Sequence, residues 1–307
     1  MQITNILQLY YTIVTMFVEF PRVKVKTIAE RLGYVGRGKS PSTVTRHIQN
    51  MYTKKISREP RLTLKTFENW QNTAYFCKKR DGKGLYSTFL DLYHDEKITY
   101  VLLLSGRDFF VTSREKELDL ERYGLDVQEK SILYTPVYTM PEKWNMQMDE
   151  GLNAFLHSDF EKGLVSREIR KKLGWSDVDW RIYDAMRGNV RTELTVVARE
   201  TQVYSNTVKK HFYEKVLPCC VIVNYFFPKG YDFYGQAFLR VHTEYEESIV
   251  NALRKLPCTS YVFPFENELA LGLFHEGVED ILLVIEKMEE TGIIDDYLLY
   301  TPIAYAI

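Results

Sequence analysis

The sequence predicts an α+β protein made of two tandem units, each a winged helix-turn-helix followed by a ferredoxin-like βαββαβ domain. Three observations carry this prediction. The ending Leu133-Tyr134-Thr135-Pro136-Val137 returns as Leu299-Tyr300-Thr301-Pro302-Ile303. Upstream, Ser42-Thr43-Val44-Thr45-Arg46-His47-Ile48 parallels Asn206-Thr207-Val208-Lys209-Lys210-His211-Phe212, and Ile28-Ala29-Glu30-Arg31 parallels Val197-Ala198-Arg199-Glu200. Matches in the same order at nearly constant offset mark a duplication. The length of 307 residues, about twice that of a usual domain, has room for it.

Each unit opens on helices. An apolar helix (Ile6–Phe20; Val178–Met186) leads to a short one (Lys26–Leu32; Thr192–Glu200) and, after a turn, to a third (Ser42–Tyr52; Asn206–Val216). A β-rich stretch follows, Val221–Phe227 in the second unit, closed by Pro228-Lys229-Gly230. The second βαββαβ pattern has strands at Gln236–Thr243, Cys258–Pro264, Glu268–Phe274 and Tyr297–Ala304, and helices at Glu244–Leu256 and Val278–Glu290. The first has strands at Thr73–Lys79, Thr99–Leu104, Asp108–Thr112 and Ile132–Tyr138, with a weaker second helix near Ser113–Tyr123. The domains expected are 1–70 (a basic helix-turn-helix), 71–141, a linker 142–176 with a helix near Ser166–Leu173, 177–234 and 235–307.

Composition narrows the class. Apolar residues at 45% and charged residues at 26% are ordinary for a globular chain. Cys77, Cys219, Cys220 and Cys258 form no CxxC pair and no zinc spacing, so reduced cytosolic thiols are expected, with no metal and no cofactor. The uncharged run Ile3–Val18 is too short to span a bilayer and lacks the basic start of a signal peptide, which predicts a cytoplasmic protein without membrane contact. Between Arg22 and Lys65, 12 basic residues face only Glu30 and Glu59, an excess of +10 in a chain of net charge −1. Such an excess suits a polyanion.

The chain resembles the leucine-responsive and asparagine-operon (Lrp/AsnC) family of bacterial and archaeal regulators, once over about Thr4–Met140 and again over about Asp177–Ile307, and the second unit shows it best. Asp177-Val178-Asp179-Trp180-Arg181-Ile182 is similar to the acidic opening of that family's first helix, and Gly188-Asn189-Val190-Arg191-Thr192-Glu193-Leu194 to its loop into helix two. Pro228-Lys229-Gly230-Tyr231 is similar to its approach to the sensor domain. The resemblance implies an effector-responsive, sequence-specific transcription regulator that is not an enzyme, whose partners are double-stranded DNA and a small molecule such as an amino acid.

Under that reading, Val44, Ile48 and Met51 face the core, and the opposite face of the same helix carries Ser42, Arg46, Gln49 and Asn50, side chains that suit base edges. Thr43 joins this DNA-binding set, and Lys39, Lys54, Lys55 and Arg58 flank it near phosphates. Ser42 also suits a helix cap. The second third-helix presents Asn206, Lys210, Tyr213 and Glu214, and 12 basic residues against nine acidic ones between Asp159 and Leu217 make it the weaker binder. His47 and His211 occupy equivalent positions suited to hydrogen bonding at the core edge. In the turn Ser105-Gly106-Arg107-Asp108, Gly106 and Asp108 are the effector-binding candidates that the resemblance implies; a plain β-turn is the alternative.

Two other readings stay open. Some relatives of this fold decarboxylate haem precursors and are expected to carry a His-Asn-Tyr-like motif; Ile98-Thr99-Tyr100 and Thr259-Ser260-Tyr261 stand in its place without the His. The other is a partner-binding protein that does not touch DNA. Sheet faces rich in Tyr and Phe are expected to pack on each other or on a second chain, with a homodimer favoured.

Overall fold

The computed structural model describes residues 3–34, 41–80, 82 and 84–306, a mixed α/β fold with antiparallel sheets. Helices α1 (Ile3–Glu19), α2 (Val25–Arg31) and α3 (Pro41–Thr53) form the first helical unit. Val44, Ile48 and Met51 lie one turn apart on α3 and are buried against Tyr10, Ile13 and Phe17 of α1 and Ile28 of α2. This core is not self-sufficient: Trp144 and Phe226, both far along the chain, complete it. The second unit comprises α6 (Asp177–Arg187), α7 (Leu194–Thr201) and α8 (Ser205–His211). The single helix expected over Asn206–Val216 changes pitch at Phe212, where a π turn through Val216 keeps both Phe212 and Val216 in the core. His211 Nδ1 lies 2.8 Å from Asp179 Oδ1, tying α8 to the capping box at the start of α6.

Two arginines hold the helical units together. Arg22 donates to the carbonyls of Val190 and Thr192, and Arg191 donates back to Pro21 O and Val23 O, both at 3.0 Å. The Arg191 guanidinium also lies 4.4 Å over the Phe17 ring. Below this clasp, β1 (Arg61–Leu64) pairs antiparallel with β7 (Cys220–Val223), so among the described residues each of these strands finds its one partner in the other unit. The strand expected over Val221–Phe227 stops at Val223 because Phe226 and Phe227 leave it to enter two different cores.

Strands β2 (Asn72–Lys79), β3 (Ile98–Leu104), β4 (Asp108–Ser113) and β5 (Leu125–Leu133) build one sheet, and β8 (Gly235–His242), β9 (Tyr261–Pro264), β10 (Leu269–His275) and β11 (Asp296–Tyr300) the other. Each is completed from across the molecule. After Pro136 the chain leaves the first sheet, and β6 (Val137–Tyr138) pairs with β9; after Thr301, β12 (Pro302–Ala306) pairs with β3. The resulting orders, β12-β3-β4-β2-β5 and β6-β9-β10-β8-β11, are equivalent. The continuous strands expected over Ile132–Tyr138 and Tyr297–Ala304 are therefore each two strands in two sheets. Proline, which has no N–H to donate to a ladder, stands at both crossings.

Outside the sheets, α4 (Leu85–Tyr93) covers the first, while α9 (Glu246–Ala252), α10 (Val278–Glu290) and α5 (Met148–Leu156) cover the second. The helix expected near Ser113–Tyr123 is only one 3₁₀ turn, Glu121–Tyr123. The linker helix lies at α5, and Ser166–Leu173 is not helical: there Arg167 grips buried Glu246 at 2.6 and 2.7 Å and donates to Phe265 O. Between the sheets, Phe76, Phe110, Phe238 and Phe265 pack in one core. Arg240, 3.7 Å over the Phe76 ring, joins Glu268 of the second sheet's hairpin to Glu129 of the first. The aromatic faces thus cover each other within one chain. No described helix is long and apolar enough to cross a membrane.

Arg191→Ala removes two charge-assisted bonds and the Phe17 contact, so urea unfolding should show a loss of about 2–4 kcal/mol. A loss under about 0.5 kcal/mol would mean that the clasp does not hold the helical units.

Candidate substrate cleft

At one end of the sheet–sheet interface a narrow cleft opens to solvent, its space amounting to about 550 Å³ only when the open mouth is counted. Its floor is the face of β8, β9 and β10, through Gln236, Phe238, Tyr261, Phe263 and Phe274; its opposite wall is Tyr100 and Leu102 of β3 with Pro302 and Tyr305 of β12. Arg58, Tyr225 and Tyr231 close the side toward the helical units. Tyr100 and Tyr261 occupy matching strands of the two halves, so the cleft sits where the repeats meet.

Local chemistry places each group. Arg58 follows α3 by five residues, on the segment entering β1. That segment is held by the other unit: Phe227 N donates to Ile56 O at 2.8 Å, and Tyr231 N to Lys55 O at 2.9 Å. The approach needs Gly230, where a Cβ would lie 2.7 Å from Lys54 O and where φ is +88°. It sets the Tyr231 ring 4.9 Å from the Arg58 guanidinium. On β10, Gly272 leaves room for the Tyr261 ring, which a Cβ would meet at 3.1 Å. The crossing of β12 then brings Tyr305, whose Oη accepts from Arg58 Nη2 at 3.1 Å.

Among the described residues, the cleft is lined by one cation, Arg58, one side-chain amide, Gln236, and five phenols, with no histidine, carboxylate, lysine or cysteine. Burial pushes the Tyr100, Tyr225, Tyr231 and Tyr261 phenols upward, so they stay neutral donors and acceptors. Tyr305 goes the other way. Burial works to raise it, but the hydrogen bonds from Arg58 and Tyr231 and the Arg58 charge outweigh that and hold it below 10.0.

The residues singled out by sequence are dispersed differently. Ser42, Arg46, Gln49, Asn50, Lys54 and Lys55 lie on the exposed side of α3 and the turn after it, Thr43 is half-buried, and Lys39 lies outside the described residues. Lys55 is paired with Asp232. Arg58, expected beside a phosphate backbone, instead turns into the cleft, because Tyr231 and Tyr305 offer it a ring face and a hydroxyl. Gly106 and Asp108 sit at the β3–β4 hairpin tip, where Ser105 N donates to Thr301 O at 2.9 Å; neither lines the cleft. Of the cleft residues, sequence singles out Arg58, Tyr100, Tyr231 and Tyr261, each for another reason, and gives no role to Tyr225, Gln236 or Tyr305. The signal for Tyr305 was its place just after the repeated Leu-Tyr-Thr-Pro ending.

Neither a protein-family model nor a curated protein matches the sequence. Among solved structures, the chain is similar to the siroheme decarboxylase NirDL, with a TM-score of 0.56 at 13% identity over 96% of this chain and 90% of that one. It is also similar to NirDL in co-complex with an iron-uroporphyrin III analogue, with a TM-score of 0.53 at 12% identity over 95% and 90%. The fold is that of these proteins. Their identity corrects the expectation of a DNA-binding transcription regulator without enzymatic activity: the solved structures that match nearly the whole chain are enzymes.

Arg58→Ala should raise the Tyr305 phenol, since it removes both the hydrogen bond and the charge that lower it. Ultraviolet titration of the tyrosinates, with Tyr305→Phe as the subtraction, should show that phenol ionising at higher pH. An unchanged curve would break the proposed coupling.

Proposed function

We propose that the chain is a decarboxylase of a carboxylated tetrapyrrole, a haem-precursor type of substrate, with the tyrosine-lined cleft as its active site. The observation that carries this is the cleft itself: an aromatic-walled slot with a single guanidinium, between the paired sheets of a fold shared end to end with siroheme decarboxylases. A tetrapyrrole is a flat ring with anionic arms. Phe263, Phe274 and the tyrosine rings offer apolar surface to the ring, and Arg58 a charge to an arm. One Arg58 N–H is committed to Tyr305; the guanidinium has five in all, enough to hold a carboxylate as well.

The same inventory fits the reaction. Decarboxylation converts a charged carboxylate into neutral CO2, so a reacting arm pressed against Leu102, Phe238 and Phe274 is destabilised relative to its product. Arg58 meanwhile anchors a neighbouring arm and fixes the ring's register. In this reading the two halves are winged helix-turn-helix and ferredoxin-like units whose domains, at the borders drawn from the sequence, serve as scaffold. The helical units supply Arg58, Tyr225 and Tyr231, and the sheets supply the rest.

The test is direct. The purified chain, incubated with sirohaem or with iron-uroporphyrin III, should yield products lighter by CO2 in mass spectrometry. Arg58→Ala should weaken binding of iron-uroporphyrin III about 10–100-fold in an absorbance titration, the worth of a lost charge-assisted contact. The absence of both CO2 loss and a spectral change with the wild-type chain would overturn the reading.

A further inference from the structure

Decarboxylation needs a proton as well as a leaving carboxylate. The carbon that loses CO2 keeps the bonding electron pair and must be protonated before the product can leave. Among the described lining residues no histidine, carboxylate, lysine or cysteine can supply that proton, and the Arg58 guanidinium does not give one up. The donors that remain are Gln236, whose amide is no acid, and five phenols.

Four of the phenols are poor choices. Tyr100, Tyr225, Tyr231 and Tyr261 are held in the neutral form by burial, with no cation hydrogen-bonded to their oxygens. Tyr305 differs in three respects. Its Oη already accepts a hydrogen bond from Arg58, at 3.1 Å, so a phenolate formed there has its counter-ion in place. It stands beside the guanidinium that anchors a substrate arm. It is also 37% exposed, on a terminal strand at the mouth of the cleft, so water can return the proton after each turnover.

We propose that Tyr305 is the catalytic proton donor, protonating the carbon from which CO2 departs. The assignment rests on the decarboxylase reading above. In the step, the bond between the arm carbon and its carboxyl breaks and its electron pair stays on the arm carbon. The Tyr305 O–H proton passes to that carbon, CO2 leaves, and the phenolate rests against Arg58 until solvent reprotonates it. One carboxylate and one proton become one C–H bond and one CO2, and no oxidant or reductant enters. The groups facing Tyr305 are Arg58, the phenols of Tyr231, Tyr100 and Tyr225, both of the latter neutral, and the carboxylate of Asp232, the last paired with Lys55. Of these only Arg58 and Tyr231 favour the phenolate.

The experiment uses the full chain with iron-uroporphyrin III. Tyr305→Phe should lower kcat about 10²–10⁴-fold, the usual share of a positioned acid, while affinity in the absorbance titration stays within a few-fold. In the wild type, kcat/KM should fall on the alkaline side as the Tyr305 phenol ionises. Arg58→Gln, which weakens the phenolate's stabilisation, should move that limb to higher pH. A Tyr305→Phe enzyme with near wild-type kcat, an equal loss of affinity and kcat, or an alkaline limb unmoved by Arg58→Gln would each overturn the assignment while leaving the decarboxylase reading intact. Absence of any CO2 loss by the wild type would instead overturn that reading, and the assignment with it.

Discussion

Neither half of this chain finishes its own sheet. The last strand of each repeat crosses at a Thr-Pro pair to the free edge of the other half's sheet, β6 onto β9 and β12 onto β3, and the rest of the molecule depends on that exchange. An uncovered β3 or β9 edge would expose unpaired backbone donors and acceptors, a standing liability for any sheet. The exchange satisfies both edges with strands already present. It also fixes the distance at which the two aromatic faces meet, and the Arg240 bridge to Glu129 and Glu268 tolerates little slippage there.

The cleft is a product of the same exchange. Its floor belongs to the second repeat, and Tyr100 on its wall to the first. Tyr305 arrives on the exchanged strand, and Arg58 and Tyr231 come from segments that bond to each other across the repeat boundary. No single repeat could assemble it. The β1–β7 pair and the two reciprocal arginines serve the same end from the helical side, holding the segment before β1 against the turn at Gly230. What the helical units contribute to this geometry is placement. The cationic face of α3 and the cleft lie on different sides of that placement: Arg46, Gln49 and Asn50 are exposed, while Arg58, twelve residues beyond Arg46, is drawn inward.

The duplication, the helix faces and most strands were readable from residue pattern alone. Val44, Ile48 and Met51 are buried as their spacing requires, and the repeated endings mark equivalent places in the fold. What pattern could not show was which sheet a strand would join. Periodicity reports that a residue faces a core, and Ile303 to Ala306 alternate equally well whichever edge receives them. The same limit hid the site. Arg58 in sequence is one more cation in a basic run, and only the approach of Tyr231 and Tyr305, 173 and 247 positions further on, gives it a different role. The charge excess was real, but it described the surface of α3 and not the chemistry of the interior. The absence of the histidine motif, of a nucleophile–base pair and of a carboxylate pair weighed against an enzyme in the sequence; in the proposed decarboxylase a phenol held against a guanidinium takes the acid's place.

The claim at the centre is that the substrate lies between the exchanged strand β12 and the face of β8, β9 and β10. A crystal structure of the chain soaked with iron-uroporphyrin III tests it most directly. The account predicts ring density in the cleft, with one carboxylate on the Arg58 guanidinium and another arm against Tyr305. Density at the Gly106–Asp108 hairpin or on the outer face of α3, with the cleft empty, would contradict it.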